Sequence, residues 1–497
     1  MQYTFSADNI YDVNVDSIIV FSVAYEKVSD KFLEALDVLA NGVVTTLLES
    51  REFSGGEGER VVIYKPEEFK AKRIVLVGLG PENKIDPDTF RRAMGCASRD
   101  NAVKKSKKLA VYFGGINNAD FYQAAIEGYL LGSYKMLDYK TGDNAKDNNR
   151  LGEIVFVCDR KASLNKLKKA VERGKIIAEG QLLVRTLGNI PGNDLPPRVF
   201  AEKAQALARQ HKFNCRILDE KAIEKEKMGA LLAVARGSSE MPRFVVLNYK
   251  GRSDDQQPIV LVGKGVTFDA GGISLKPALN MHEMKNDMSG AAVVLATLVT
   301  AARLEIPRNI VGLCPLTENL PSSKATKPGD IITSRKGLTI EVINTDAEGR
   351  LILADALDYA DKFNPQAVVD IATLTGAALY VLGYAGSPIM GNNSNLMDLI
   401  REAAENTAEK VWEMPIWDEH RNIMKSTIAD LVNSGGKNAG TIAAGAFLEN
   451  FVGEWPWGHI DIAYTESEPK GQAYLPAGLT GYGLRLFVSM LTNWRKP

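Results

Sequence analysis

Short apolar, β-branched runs recur along the first third of the chain, each bounded by polar or turn-forming residues. Ser17–Val23, Ile74–Gly78, Leu109–Phe113 and Glu153–Cys158 are such runs and predict strands. Between them lie helical patterns such as Pro87–Ser98. Strands alternating with helices predict an α/β domain with a mainly parallel sheet over residues 1–160. From Ala162 to Leu183 the apolar residues Leu164, Leu167, Val171, Ala178 and Leu182 return at helical spacing, with lysine and arginine on the other faces. The turn-rich GNIPGNDLPP (188–197) follows, so residues 161–190 read as an interdomain helix and linker, with a boundary near 190.

The alternation resumes over residues 191–497. Strand candidates are Phe244–Asn248, Ile259–Gly263, Ile310–Pro315, Thr339–Asn344 and Ala367–Ile371. Helices are predicted at Pro197–His211, Ser289–Leu304 and Leu351–Phe363. Ser289–Leu304 is apolar on nearly every face, which predicts a central buried helix. The fold class that follows is α/β in two domains, a smaller N-terminal one and a larger C-terminal one with a mixed, mostly parallel sheet flanked by helices. Ile371–Met397 carries no charge and is long enough to span a bilayer. Its glycines, Pro388 and three asparagines suit a lipid-facing helix poorly, so it reads as a buried loop and helix. The N-terminal MQYTFSADNIYDVNVD lacks a basic region followed by an apolar core, and no secretory signal is expected.

Composition narrows the function classes. Lys plus Arg is 60 and Asp plus Glu 61, a net charge of −1, which gives no support to a dedicated nucleic-acid binder or a polyanionic tail. A 45% hydrophobic and 24% charged chain excludes wholesale disorder, collagen and coiled coil. Cys96, Cys158, Cys215 and Cys314 form no CxxC pair, so small buried hydrophobes in a reducing cytosol are expected rather than a disulfide framework or a cysteine zinc module. His211, His282, His420 and His459 are too few for a mechanism built on several imidazoles.

Several short motifs dissolve on inspection. Gly78-Leu79-Gly80 opens a dinucleotide fingerprint, but Asn83 stands where its next glycine belongs. KKSKK (104–108) reads as a solvated helix end. His282-Glu283 begins HExxH but reaches Asn286, and Gly272-Ile273-Ser274 begins GxSxG but ends on Lys276.

Charged residues gather instead at two strand ends. GKGVTFDAGGISLKP places Lys264, Asp269 and Lys276 after the first, and MKNDMSGAA sets Asp287 just before the buried helix. EVINTDAEGRLIL places Asp346, Glu348 and Arg350 after the second. In an extended chain residues i and i+2 point the same way, so these last three are expected on one side of a strand end. Ligands of open α/β sheets bind outside the carboxyl ends of the strands, so the two groups can converge on one cleft. Each acid alone reads best as a turn acid or an ion-pair partner. The whole set, interleaved with three cations and dense glycines, reads as a site. Four ionised carboxylates in one cleft need compensating cations, and two divalent ions supply the matching charge.

GKGVTFDAGGISLK, MKNDMSGAA, NTDAEGRLILADAL and DIATLTGA resemble the leucyl aminopeptidase (cytosol aminopeptidase, M17 peptidase) family, in order and in spacing. The resemblance is strong over about 190–490 and weaker over 1–160, and makes 191–497 the catalytic peptidase domain. It implies Lys264, Asp269, Asp287 and Glu348 as ligands of a tightly held metal, and Asp269, Asp346 and Glu348 as ligands of a more exchangeable one. It implies Lys276 and Arg350 as catalytic residues, with a bicarbonate at Arg350 shuttling the proton. Lys264 must then be a neutral amine, its pKa pushed far down by the adjacent cations. Thr373, Leu374 and Gly376 match the segment lining the substrate site, and Met284 a pocket residue for the apolar first side chain. The implied reaction releases N-terminal amino acids, preferably leucine and other apolar residues. The metals bind the free α-amino group and the scissile carbonyl of the peptide while a water of lowered pKa attacks. An all-oxygen set plus one amine suits Mn²⁺ or Zn²⁺, and Mg²⁺ also fits. The resemblance further implies a cytoplasmic homohexamer of two trimers. A DNA-binding or regulatory role, known for some bacterial members of the family, is the alternative; near-zero net charge argues against it as the main one.

Overall fold

Valine, isoleucine and leucine fill the centres of most predicted strands, and runs apolar on both faces need cover on both sides. In the computed structural model, which describes residues 1–24, 34, 36–38, 40–66, 68–114, 116–146, 151–158, 164–252, 257–436 and 438–497, they have it. The chain divides into two units. One comprises Met1–Glu179 with Lys470–Ala477, the other Gly180–Pro469 with Gly478–Pro497. The division falls inside one long helix, Leu164–Asn189; Ala162 and Ser163, part of the predicted helix, lie outside the described residues.

The first unit holds a six-stranded sheet in the order Gln2–Ser6, Glu153–Val157, Lys108–Tyr112, Ser17–Ser22, Arg73–Gly78, Arg60–Tyr64. Every pairing is parallel except that of the edge strand Arg60–Tyr64. Separate apolar clusters cover its faces; one includes Phe90, Met94, Tyr122 and Tyr129 from the helices Pro87–Ser98 and Ala119–Gly132. Two strands lie outside the predicted set, both at the sheet's edges and mostly half-exposed: Gln2–Ser6, which has no strong apolar run, and Arg60–Tyr64, whose short Val61–Ile63 run sits between exposed ends.

The second unit is built on a nine-stranded mixed sheet. Its main path runs Val411–Glu413, Ser387–Gly391, Trp457–Asp461, Ala367–Ala372, Ile259–Gly263, Asn309–Asn319, Arg243–Lys250, Asn214–Leu218, and Gly265–Asp269 pairs alongside Asn309–Asn319. The central pairings are parallel. The helix Ser289–Arg303 is buried from Ser289 to Ala301, as its all-round apolar pattern predicts.

Two expectations are corrected here. Thr339–Val342 is a strand, but it joins a separate three-stranded sheet with Asp330–Thr333 and Leu431–Val432. Beyond it the chain turns instead of staying extended, and Glu348 caps the helix Gly349–Ala360. Asp346, Glu348 and Arg350 therefore do not share one side of a strand end. Within Ile371–Met397 the structure adds a strand, Ser387–Gly391, after the short helix Ala378–Leu382. No helix among the described residues is long and apolar enough to cross a membrane. Cys158 and Cys314 are buried and Cys96 and Cys215 half-buried, all four as free thiols.

Glycines bring three backbones together at the sheet's carboxyl edge. A Cβ on Gly263 would lie 2.3 Å from the Gly290 carbonyl oxygen, and one on Gly290 would lie 2.2 Å from that of Ile371. The close approach lets Lys264 N donate to Ile371 O (3.1 Å) and Ala291 N donate to Lys264 O (2.8 Å). Gly290→Ala forces these segments apart. It is expected to destabilise the protein by about 3 kcal/mol and lower its midpoint in thermal unfolding, and an unchanged midpoint would contradict this packing account.

Candidate active site

Lys264 follows the last residue of Ile259–Gly263, and Asp269 is the last of Gly265–Asp269. Gly271 and Gly272 then adopt φ +88° and +67°, a left-handed pair that turns the chain back so that Lys276 faces the strand it left. A 3₁₀ turn, Met281–Asn286, leads to Asp287, and the turn after Thr339–Val342 brings in Asp346 and Glu348. At Gly349 a Cβ would meet Lys264 Cε at 2.6 Å, so the glycine beside Glu348 leaves the passage that the lysine side chain occupies.

The acids and lysines interleave. Lys264 Nζ lies 2.8 Å from Asp287 Oδ2 and 2.9 Å from Glu348 Oε1, and donates to Thr373 O at 2.8 Å. Lys276 Nζ lies 2.8 Å from Asp269 Oδ2 and 2.6 Å from Asp346 Oδ1. Lys264, Asp269, Asp287 and Glu348 are all buried. Burial opposes the charge on Lys264, but Asp287, Glu348 and Asp269 outweigh it and raise its pKa. Lys276 is likewise raised, burial being overcome by Asp269, Glu348 and Asp346. The protein's own groups thus hold Lys264 as an ammonium; the neutral amine of the sequence reading requires added cations. Burial lifts the carboxyls of Asp269 and Asp346 above the ordinary range, and that of Asp287 well above it.

Four carboxylates against two ammoniums leave a formal excess of two negative charges. Glu348 Oε2 is buried and has no hydrogen-bond partner among the described residues. One carboxylate oxygen from each of Asp269, Asp346 and Glu348 lies within 4.8 Å of the others, a grouping able to hold a metal ion. Donor chemistry, uncompensated charge and an unpartnered buried oxygen all fit a divalent cation. Asp287 stands outside that triad, its Oδ1 accepting from Lys264 Nζ (2.8 Å) and Thr373 Oγ1 (2.7 Å).

The cluster forms the floor of a cleft of about 800 Å³, lined also by Met284, Thr373, Leu374 and Gly376. Met284 is half-buried and faces the cleft instead of filling the core. Arg350 is not among the lining residues. It is buried in the first turn of its helix, its Nε has no partner among the described residues, and burial holds its pKa down at about 10 against the pull of Glu348 and Asp461.

Sequence reading missed the supports of this site. Asn319 Nδ2 donates to Asp269 Oδ1 (2.8 Å) and to Thr345 O (3.0 Å), tying the two acidic segments together. Asp461 Oδ1 accepts from Leu374 N (3.0 Å) and its Oδ2 from Thr375 Oγ1 (2.6 Å), fixing the segment after Ala367–Ala372. Both are polar residues at the carboxyl ends of strands, the same signal that singled out Asp269.

Known proteins match the chain over nearly its whole length. The model of the cytosol aminopeptidase family's catalytic domain matches residues 182–488, and that of its N-terminal domain residues 19–143. The chain is 42% identical over 477 residues to a probable cytosol aminopeptidase of Syntrophotalea carbinolica, covering 95% of this chain and 96% of that one. It is 42% identical over 465 residues to one of Geobacter sulfurreducens, covering 93% of each. Among solved structures, a mutant tomato leucine aminopeptidase superposes with TM-score 0.89 at 30% identity, over 99% of this chain and 97% of that one. The bottromycin maturation enzyme BotP in complex with Mn superposes with TM-score 0.84 at 32% identity, over 96% of this chain and 99% of that one. Fold and matches together define an aminopeptidase, a hydrolase acting on the N-terminal end of peptides. The chain belongs to the cytosol aminopeptidase family.

Proposed function

We propose that the cleft is a two-metal centre releasing N-terminal amino acids, preferably leucine and other apolar residues, from peptides. The observation that carries this reading is the triad of buried Asp269 and Glu348 with half-buried Asp346, Glu348 Oε2 being unpartnered and the surrounding charge uncompensated. Lys264, Asp269, Asp287 and Glu348 would hold one divalent ion and Asp269, Asp346 and Glu348 the other, Mn²⁺ or Zn²⁺ being suited to oxygen donors with one amine. Ions there supply Lewis acidity toward the scissile carbonyl and a water acidic enough to act as nucleophile at neutral pH.

The chain's own residues do the rest. Lys264 would serve as a ligand only as the neutral amine, its proton passing to solvent when an ion binds. Lys276, held at the cleft by Asp269 and Asp346, offers its ammonium to the charge developing on the carbonyl oxygen. Arg350 offers a buried guanidinium to a small anion such as bicarbonate, which would carry the proton. Met284 supplies apolar surface for the first side chain, and Thr373, Leu374 and Gly376 line the path of the peptide. We assign residues 191–497 as the peptidase domain, 1–160 as the N-terminal domain and 161–190 as the connecting helix and linker. The relatives named cytosol aminopeptidases support a cytoplasmic location, and a homohexamer is the assembly proposed.

Hydrolysis of Leu-p-nitroanilide tests this reading. The purified protein is expected to lose activity in chelator and recover it with Mn²⁺ or Zn²⁺. Full activity after exhaustive chelation, with no metal detected, would overturn it.

A further inference from the structure

Beyond the acidic cluster, Glu283, Glu466 and Glu468 also line the cleft, and of these only Glu466 has a buried carboxylate oxygen with no hydrogen-bond partner among the described residues. Glu466 follows the strand Trp457–Asp461, which pairs in parallel with Ala367–Ala372 so that Asp461 stands opposite Ala372. The chain therefore leaves the two strands side by side, one exit leading to Thr373–Gly376 and the other to Ala463–Glu466. Ile462 N donates to Ala372 O (2.8 Å), and Leu374 N and Thr375 Oγ1 donate to Asp461, which locks the exits together. Thr480 N donates to Glu466 O (2.8 Å) and fixes the backbone at Glu466 itself.

The Glu466 carboxyl accepts from its own backbone N–H, from that of Tyr464 and from the Ser467 side chain, which hold it in its loop but bring no cation to it. Its Oε2 is shielded from bulk water and has no hydrogen-bond partner among the described residues. A buried acceptor left unmade is costly, and such groups persist where a ligand completes them. The two ammoniums at the cleft floor are engaged elsewhere, Lys264 with Asp287 and Glu348 and Lys276 with Asp269 and Asp346. Burial first, with Asp461 adding to it, pushes the Glu466 carboxyl up to about 8, the behaviour of an acid that lacks a cation beside it. Two tyrosines lining the same cleft, Tyr384 and Tyr464, meet edge to face with ring centroids 5.8 Å apart. Aromatic faces also favour cations.

We infer that Glu466 reads the tip of the substrate's N-terminal side chain and admits a cationic one, lysine or arginine, in addition to apolar residues. Lysine and arginine carry apolar stems that suit Met284, and a charged head that completes the unpartnered oxygen. A neutral side chain of the same length leaves that oxygen unmade. The α-amino group is common to every N-terminal substrate, so only the side chain distinguishes them. The inference rests on the reading of this cleft as the aminopeptidase site.

The test compares kcat/KM for lysyl- and norleucyl-p-nitroanilide, whose side chains share a stem and differ in the ammonium. It uses the full-length protein loaded with Mn²⁺ and two variants, Glu466→Gln and Glu466→Met. The lysyl-to-norleucyl ratio is expected to fall about tenfold or more in Glu466→Gln, and further in Glu466→Met, the loss of a charge-assisted contact. An unchanged ratio in both variants overturns the inference and leaves the aminopeptidase reading standing. Wild type alone gives a second test that needs no variant to fold: a lysyl substrate cleaved more than about tenfold more slowly than the norleucyl one overturns the inference. Wild type that cleaves neither, nor the leucyl substrate, overturns the reading of the cleft and the inference with it.

Discussion

Asp269→Ala protein equilibrated with Mn²⁺ is expected to carry neither ion. It should lose at least about a thousandfold in kcat/KM for Leu-p-nitroanilide, about 4 kcal/mol of transition-state stabilisation. Asp269 is the acid most firmly built into the site. Its Oδ1 accepts from Gly271 N (2.9 Å) and Asn319 Nδ2 (2.8 Å), and its Oδ2 faces Lys276. The backbone turn at Gly271 and Gly272 exists to aim it, and as the ligand assigned to both ions its loss undoes both. Metal analysis of the purified variant decides the matter. A variant that keeps two ions per chain means that the ligand assignment is wrong, whatever its rate.

Lys276→Ala should separate chemistry from metal binding. Lys276 shares Asp269 and Asp346 with the proposed ions, so removing its ammonium frees those carboxylates and does not take a ligand away. Metal content is expected to stay intact while kcat falls about 10²–10³-fold, the usual scale for deleting one group that stabilises developing negative charge. Metal lost along with activity would place Lys276 in the structural support of the cluster and contradict its assigned role. Arg350→Ala is expected to resemble it, with metal retained and kcat lowered. Its guanidinium sits behind the cleft wall, so this variant also reports whether a buried cation that lines no part of the cleft matters to the reaction.

The apolar pattern carried the central strands whose runs are aliphatic throughout, and passed over the buried Trp457–Asp461, whose WGHID breaks the run with glycine, histidine and aspartate. Ile259–Gly263 and Pro87–Ser98 appear with the predicted bounds, and Ser289–Arg303 ends one residue short of its prediction. The pattern failed where one face is open, as at Gln2–Ser6 and Arg60–Tyr64. It also failed where a strand's partner decides its meaning. Thr339–Val342 looks like a central strand, yet it pairs with Asp330–Thr333 and Leu431–Val432. That misplacement put Asp346 and Glu348 on an extended segment, when a turn and a helix N-terminus carry them. The convergence of the four acids survived the error, because charge in glycine-rich segments at strand ends is readable without the local geometry.

Residues whose role depends on distant partners were illegible. Asn319 acts 50 positions from Asp269, and Asp461 braces Leu374 from 87 positions away. Glu466 looks like any other acid in TESEPK until the adjacent strand exits place it at the cleft. The excursion Lys470–Ala477, which groups with the first unit, likewise carries no mark in its composition.

Anomalous diffraction from crystals grown with Mn²⁺ tests the central claim most directly. Two peaks are expected roughly 3.5–4 Å apart, both within bonding distance of Asp269 and Glu348, one reached also by Lys264 and Asp287 and the other by Asp346. Density showing no ion there, with Lys264 and Lys276 still spanning the four carboxylates, would contradict it.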